Sequence, residues 1–186
     1  MRLELGPALE AALLATARES IASALERRPP SWPAAADGAA EPCGAFVSLH
    51  VGRSLRGCIG RMTSPEPLYE TVREMARAAA FEDPRFTPVS REELDSIDIE
   101  ITALSPMRRV EEVSEIEVGL HGIHIQKGWR SGVFLPQVAV EQGWDRDTLL
   151  EEVCRKAGLP VEAWRSPDAV ISVFEGLVFG EADSPS

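Results

Sequence analysis

The spacing of apolar residues along the chain predicts several helices. Near the amino terminus, apolar side chains recur every fourth position and polar ones fall between them, as in an amphipathic helix: Leu9, Leu13, Ala17, Ile21 and Leu25. Residues 67–81 show the same spacing and begin with a proline, which favours a helix start. A third long helix is predicted over residues 146–157, with Asp145 as its N-cap, and a short one over residues 137–142.

Apolar residues at every second position, and short runs rich in β-branched residues, predict the strands. These strands cover residues 46–51, 55–59, 97–101, 116–120, 122–126, 129–135 and 170–179. Only a few helices separate them, and no regular strand–helix–strand rhythm is present. This order predicts an α+β fold with a mostly antiparallel sheet flanked by helices.

The first two predicted strands form a hairpin whose register follows from the apolar pattern. A turn of three residues, 52–54, brings the apolar side chains of both strands to one face. The predicted cross-strand pairs are Val51 with Leu55, His50 with Arg56 and Ser48 with Cys58. Cys58, His50 and Arg56 then share the opposite face of the hairpin.

Residues 28–44 differ from the rest of the chain. They include four prolines and have no apolar period, so we predict a mobile loop. The remainder of the 186 residues is long enough to bury the core of one domain, or of two closely packed subdomains, without disulfides or metal.

Charge, cysteine content and the apolar pattern limit the partners and the compartment. Nineteen Lys and Arg stand against 30 Asp and Glu, and the net charge of −11 argues against binding to nucleic acid. Three cysteines without a CxxC spacing argue against a disulfide framework or a structural zinc site, and favour the cytoplasm. No run approaches the roughly 20 apolar residues of a membrane helix. Glu4 and Glu10 argue against a signal peptide.

Residues 52–62 stand out on this acidic chain because they contain three arginines and no acid. The guanidinium of Arg56, with the backbone N–H groups near Gly57 and Gly60, is a combination that suits a small phosphate or carboxylate ligand. A structural role is the alternative. In that case the arginines pair with acids between residues 95 and 100, and the glycines serve turns or bulges.

Cys58 is the candidate nucleophile, because a nearby arginine and the imidazole of His50 both favour a thiolate. Against this, free cysteines are commonly buried as small apolar residues, and no acid is evident to orient His50. We predict no metal site, since His121 and His124 are three apart in a predicted strand and point to opposite faces.

Three further residues are candidates for ligand binding. Asp83 and Arg85 could form an ion pair after the second helix, but we favour a helix-ending turn with Phe86 in the core as their role. Gln137 follows a proline at a strand-to-helix junction, where it lines a cleft or starts the helix. No GxGxxG motif, Walker A motif or iron–sulfur ligand set is present, so no cofactor is predicted.

Residues 55–60, with the sequence LRGCIG, resemble the signature of the AMMECR domain family, and in particular its AmmeMemoRadiSam system protein A-like members. Further blocks similar to the family occur in family order at residues 44–50, 83–86, 99–101, 135–139, 143–145 and 154–160. The resemblance covers residues 8–180, apart from the proline-rich loop.

The resemblance implies one α+β domain over residues 8–180. Its amino- and carboxy-terminal parts form a larger subdomain beside a smaller, mainly β one. The biochemical activity of the family is not established, and prokaryotic members are often encoded with, or fused to, radical-SAM and Memo-like proteins. An accessory or substrate-handling role with such partners, through a cleft around Arg56–Gly60, is therefore the leading hypothesis.

Two alternatives to this role remain. One is a thiol-dependent enzyme that uses Cys58 with His50. The other is a regulatory adaptor whose acidic residues 111–117 contact a basic partner. Whether the protein is an enzyme at all is left open by the sequence.

Overall fold

The computed structural model describes residues 5–34 and 41–183, and it divides the chain into two compact units. The larger unit contains the described residues up to Leu104 together with those from Leu177 onward. The smaller unit runs from Ser105 to Gly176. Of the loop predicted over residues 28–44, residues 35–40 lie outside the described residues.

The α+β fold is confirmed, and the strand pairings described below are all antiparallel. The larger unit contains helices α1 (Pro7–Glu26) and α2 (Leu68–Phe81) and strands β1 (Gly44–Val51), β2 (Ser54–Arg61) and β3 (Ile97–Leu104). The smaller unit contains strands β4 (Arg108–Arg109), β5 (His121–Lys127) and β6 (Arg130–Phe134), helices α3 (Pro136–Gln142) and α4 (Arg146–Lys156), and most of β7 (Val170–Gly180).

In the larger unit, β1 lies between β2 and β3. One face of β1 presents Ala45, Val47 and Leu49, which are fully buried in the core with the apolar sides of α1 and α2. Burial of alternate residues is the pattern expected of a strand that has one face against helices. The opposite face of the same strand is therefore available to carry the candidate site.

In the smaller unit, β7 pairs with both β4 and β5, and β5 pairs with β6. Ile123, Ile125 and Val173 form its core with apolar residues of α4. The predicted N-cap of α4 is confirmed, because the Asp145 carboxylate accepts the N–H of Thr148 at 2.8 Å. The strand predicted over residues 116–120 is wrong, since these residues form turns around the buried Ile116.

Strand β7 contributes to both cores. Val173 is buried in the smaller unit, whereas Phe179 is buried in the core of the larger one. None of the helices in the described residues combines the length and the apolar composition needed to cross a bilayer.

Candidate functional site

The β1–β2 hairpin sets the position of Cys58. The predicted pairing of Ser48 with Cys58 is confirmed, but the turn is shorter than predicted. Val51 pairs with Ser54 and His50 pairs with Leu55, so the predicted pairs Val51–Leu55 and His50–Arg56 are wrong. Only two residues, the first of them Gly52 with φ of 59°, form the turn.

A bulge at Arg56 explains how Ser48 still pairs with Cys58 although the turn is one residue shorter than predicted. His50 pairs with Leu55 and Leu49 with Gly57, which leaves Arg56 as an extra residue on β2. The bulge shifts the register by one residue. Cys58 therefore faces the same side as Ser48, opposite the buried Leu49 face, although a two-residue turn alone would have turned it into the core.

The outer face of this sheet carries two rows of polar side chains. In the first row, Ser48 pairs with Cys58 on β2 and with Glu100 on β3, and its hydroxyl donates to Cys58 Sγ at 3.3 Å. In the second row, His50 pairs with Asp98. A carboxylate thus lies opposite the imidazole, whereas the sequence analysis had assigned the acids of this strand to the arginines and none to His50.

Of the three cysteines, only Cys58 is partly exposed. Burial raises the pKa of both the Cys43 and the Cys154 thiols. Because a raised pKa leaves less thiolate at neutral pH, these two side chains behave as apolar core groups.

The backbone of Cys58 is held on both sides by Asp83 and Arg85. Cys58 lies on the edge strand of the sheet, where alternate backbone groups lack a strand partner. Its N–H donates to Asp83 Oδ2 at 2.9 Å, and its carbonyl oxygen accepts from Arg85 Nη2 at 3.2 Å. The two side chains also form a bidentate ion pair, with Nε–Oδ1 and Nη2–Oδ2 distances of 2.9 and 2.7 Å.

Hydrogen bonds from Arg85 hold the pKa of Asp83 well below its usual range, and the N–H groups of Cys58 and Arg85 act in the same direction. The pKa of Arg85 is raised, mainly by Asp83 and also by its proximity to Cys58. Only 2% of the Asp83 side chain is exposed, against 56% for Arg85. The carboxylate is therefore a fixed internal anchor, while the guanidinium reaches the surface beside Cys58.

Arg56 binds a neighbouring segment of the chain. Its Nε and Nη2 donate to the Glu93 carboxylate at 2.8 and 3.1 Å, and its Nη1 donates to the Thr87 carbonyl at 2.8 Å. Hydrogen bonds from Arg56 lower the pKa of Glu93 to about 2. The acid that pairs with Arg56 is thus Glu93, which precedes the predicted acidic group at residues 95–100. A ligand role for Arg56 stays a prediction.

The two glycines of the LRGCIG segment allow close packing. A Cβ at Gly57 would overlap the carbonyl oxygen of Ala79 on α2, and a Cβ at Gly60 would overlap the ring of Phe46. Both glycines are thus explained by contacts on either side of the sheet. The role of these two glycines in ligand binding stays a prediction.

The candidate residues are divided between the two units. His50, Arg56, Gly57, Cys58, Gly60, Asp83 and Arg85 belong to the larger unit and Gln137 to the smaller one. Gln137 is the exposed second residue of α3. His121 Nδ1 accepts the N–H of Glu117 at 3.0 Å. Among the described residues, no three His, Cys, Asp or Glu side chains are grouped so as to hold a metal ion.

Sequence reasoning did not assign a role to two residues of the site, Ser48 and Glu93. The predicted cross-strand pair with Cys58 was already a signal for Ser48. No comparable signal marks Glu93, because its contact with Arg56 joins positions 37 residues apart in the chain.

The sequence of the chain is similar to a known protein family and to several of its members. The AMMECR1 family model matches residues 14–179. The chain is 43% identical over 145 residues to Protein NEQ441 of Nanoarchaeum equitans, which covers 74% of this chain and 81% of that protein. It is 43% identical over 168 residues to Protein MK0488 of Methanopyrus kandleri, with 86% and 79% covered.

A solved structure shows the same fold. The crystal structure of the uncharacterized protein PH0010 from Pyrococcus horikoshii matches with a TM-score of 0.80 and 34% sequence identity. The match covers 96% of this chain and 94% of that one.

Proposed function

Because the chain belongs to the AMMECR1 family, we propose that it is an accessory, substrate-handling protein that acts with radical-SAM and Memo-like proteins through the surface around Cys58. The observation that supports this role is the Asp83–Arg85 pair, which binds both backbone polar groups of Cys58. The expected compartment is the cytoplasm, where the thiol stays reduced.

The Asp83–Arg85 contacts support a role in positioning. Burying a carboxylate is costly unless it is paired and hydrogen-bonded, and Asp83 Oδ2 accepts hydrogen bonds from both the Cys58 N–H and Arg85 Nη2. The result is a rigid support beneath one partly exposed side chain. Rigid support of this kind is what a binding or reacting group requires.

The composition of the outer face supports contact with a polar substrate or peptide. A thiol, a hydroxyl and an imidazole lie in two adjacent rows with the carboxylates of Glu100 and Asp98. The Arg85 guanidinium adds a positive charge at the strand edge. Such a mixed surface offers donors and acceptors for recognition and one nucleophile for transient capture.

A second candidate is a thiol-dependent enzyme that uses Cys58 with His50 as its base. Asp98 favours this function, because it pairs with His50 across β1 and β3 and supplies an acid opposite the imidazole. The two candidates differ in what they demand of His50, since only the enzyme requires this side chain to activate the thiol.

The partner role is tested by photo-crosslinking. A crosslinking amino acid replaces Leu55, which is 39% exposed and lies in the row of His50. The control carries it at Val178, which is 47% exposed in the same unit. With purified radical-SAM and Memo-like proteins of the same genome, we expect crosslinks from position 55 and few from position 178. Equal yields at both positions, or none at either, contradict the proposal.

The state of the thiol is tested by alkylation under native conditions. We expect iodoacetamide to label Cys58 at least about tenfold faster than Cys43 or Cys154, because only Cys58 is partly exposed. Mass spectrometry of tryptic peptides reports the three rates separately. Preferential labelling of a buried cysteine would exclude Cys58 as the working thiol.

The substitution His50→Gln separates the two candidate functions in the same assay. A base role predicts that labelling of Cys58 at neutral pH slows by about tenfold or more. The substrate-handling role predicts a rate within about twofold of the wild type, because Ser48 and the Asp83–Arg85 pair still hold the thiol in place.

A further inference from the structure

We propose that the smaller unit has a second site, which binds the carboxylate or phosphate group of a small molecule beside Trp164. A cavity of about 280 Å³ opens there within the unit. Its walls include Arg109, Glu111, Trp164, Ser166 and Ile171. This site does not depend on Cys58 and lies in the unit that the proposed function leaves without a role.

The indole of Trp164 supplies the first argument for a ligand. Its Nε1 atom is buried and has no hydrogen-bond partner among the described residues. An indole N–H is a donor only, and donors shut away from water are nearly always paired in folded proteins. Trp164 forms part of the cavity wall, so this unpaired donor belongs to a side chain that a molecule bound in the cavity would touch.

Positive charge around the cavity supplies the second argument. Arg109 is exposed on the cavity wall, and its side chain makes no ion pair or hydrogen bond with any residue that the structure describes. Outside the cavity wall, the guanidinium of Arg165 lies 4.3 Å from the centre of the Trp164 ring and 3.7 Å from a carboxylate oxygen of Glu162. A cation over the ring face makes the surroundings of the indole N–H more favourable to a negative acceptor.

The nature of the ligand follows from these groups. A guanidinium donates to two oxygens at once, a geometry that matches a carboxylate or a phosphate. Val113 and Ile171 give part of the wall an apolar character, and the volume admits only a small molecule. The ligand is therefore a small organic acid or phosphate ester with a short apolar part.

The carboxylate of Glu111 allows a second test of the proposal, in which a negative charge is removed instead of a positive one. Glu111 is exposed on the same cavity wall, where its charge repels an anion. Removing this charge should tighten anion binding, whereas removing the charge of Arg109 should weaken it. A site held together only by shape would not respond in opposite directions to these two changes.

The binding experiment follows the side-chain N–H signals of the four tryptophans by ¹⁵N NMR. The full chain is titrated in separate series with acetate and with inorganic phosphate, at constant ionic strength kept with chloride. Trp164→Phe assigns the signal of Trp164. We expect this signal alone to shift and to saturate, and the series that saturates at lower concentration identifies the preferred oxyanion.

Matched variants decide whether the shift reports the proposed site. We expect Arg109→Gln to raise the dissociation constant at least about tenfold and Glu111→Gln to lower it about two- to threefold. Arg53→Gln, which removes the same charge from an exposed turn of the larger unit, should change it by less than about twofold. The proposal is overturned if the Trp164 signal does not saturate with either anion, if all four signals move together, or if Arg109→Gln and Arg53→Gln have equal effects.

Discussion

At the scale of single residues, the site depends on one extra residue in β2. Arg56 forms the bulge that restores the register after a two-residue turn, and its side chain binds Glu93 and Thr87. The bulge fixes the face on which Cys58 lies, and the guanidinium fixes the segment that follows α2. One residue therefore contributes both to strand register and to the covering of the strand edge.

Gly57 is the residue whose substitution should disturb the site most directly. A Cβ at this position overlaps the Ala79 carbonyl oxygen, which belongs to the helix backbone and cannot move away as a side chain can. We expect Gly57→Ala to lower the free energy of unfolding by about 3 kcal/mol, the upper end of the range for overpacking. Urea denaturation measures the loss.

Gly6→Ala is the matched control for this prediction. A Cβ at Gly6 meets no atom within 4 Å, and its backbone is extended, with φ of −77°. The control should cost no more than about 1 kcal/mol, the effect of a less favoured residue at a helix N-cap. Equal losses for Gly57→Ala and Gly6→Ala would show that α2 does not pack closely against Gly57.

At the scale of elements, the segment after α2 covers the exposed edge of β2. Asp83 and Arg85 bind the backbone of Cys58, and Glu93 binds Arg56 on the same strand. An uncovered edge strand presents unpaired backbone groups that can pair with another chain. These contacts therefore protect β2 from edge-to-edge association while they position Cys58.

The link between Arg56 and Glu93 should make stability depend on pH. The pKa of Glu93 is about 2 in the folded chain and near 4.5 when the carboxyl is free of its partner. A lowered folded pKa adds stability that is complete above pH 4.5 and is lost as the pH falls from about 4.5 to about 2. We expect Glu93→Gln to lose less stability than the wild type over this interval, as measured by urea denaturation at pH 7, 4 and 2.5.

The control for the pH experiment is Glu74→Gln. Glu74 lies on α2 and forms an ion pair with Arg61 of β2, and its side chain is 57% exposed. This variant should follow the wild-type decrease in stability, because exposed ion pairs contribute little. If Glu93→Gln and Glu74→Gln follow the same curve as the wild type, then the Arg56–Glu93 pair does not contribute to acid sensitivity.

At the scale of the whole molecule, the acidic balance controls behaviour in solution. The net charge is −11 at pH 7 and the calculated isoelectric point is about 4.8. Loss of net charge removes the repulsion that keeps molecules apart. We expect light scattering to rise to a maximum within about half a pH unit of 4.8 and to fall on both sides. A scattering signal that is flat from pH 4 to pH 8 would contradict this expectation.

Most elements of the fold could be predicted because their signals are local. The apolar period of α1 and the N-cap at Asp145 are both read from neighbouring residues, and the structure confirms both. The strand predicted over residues 116–120 was wrong for a related reason. Their apolar and polar residues alternate as in a strand, but only Ile116 is buried and turns follow it. A short alternating run does not distinguish a strand from a turn with one buried anchor.

The candidate site was less predictable because its contacts join distant positions. Cys58 binds Asp83, which is 25 residues away, and Arg56 binds Glu93, which is 37 residues away. The residues on each side of such contacts could be proposed as charged or reactive, yet their partners could not be chosen from sequence alone. A bulge has the same property, since it becomes visible only when both strands are paired.

The sequence by itself determined the helices, most strands and the α+β class. These features follow from the periodic spacing of apolar side chains, which each segment carries in its own residues. Only the tertiary structure decided the two-residue turn, the bulge at Arg56 and the anchoring of Cys58 by Asp83 and Arg85. The physical reason is that hydrogen bonds and ion pairs between distant segments form only once the packed core has brought those segments together.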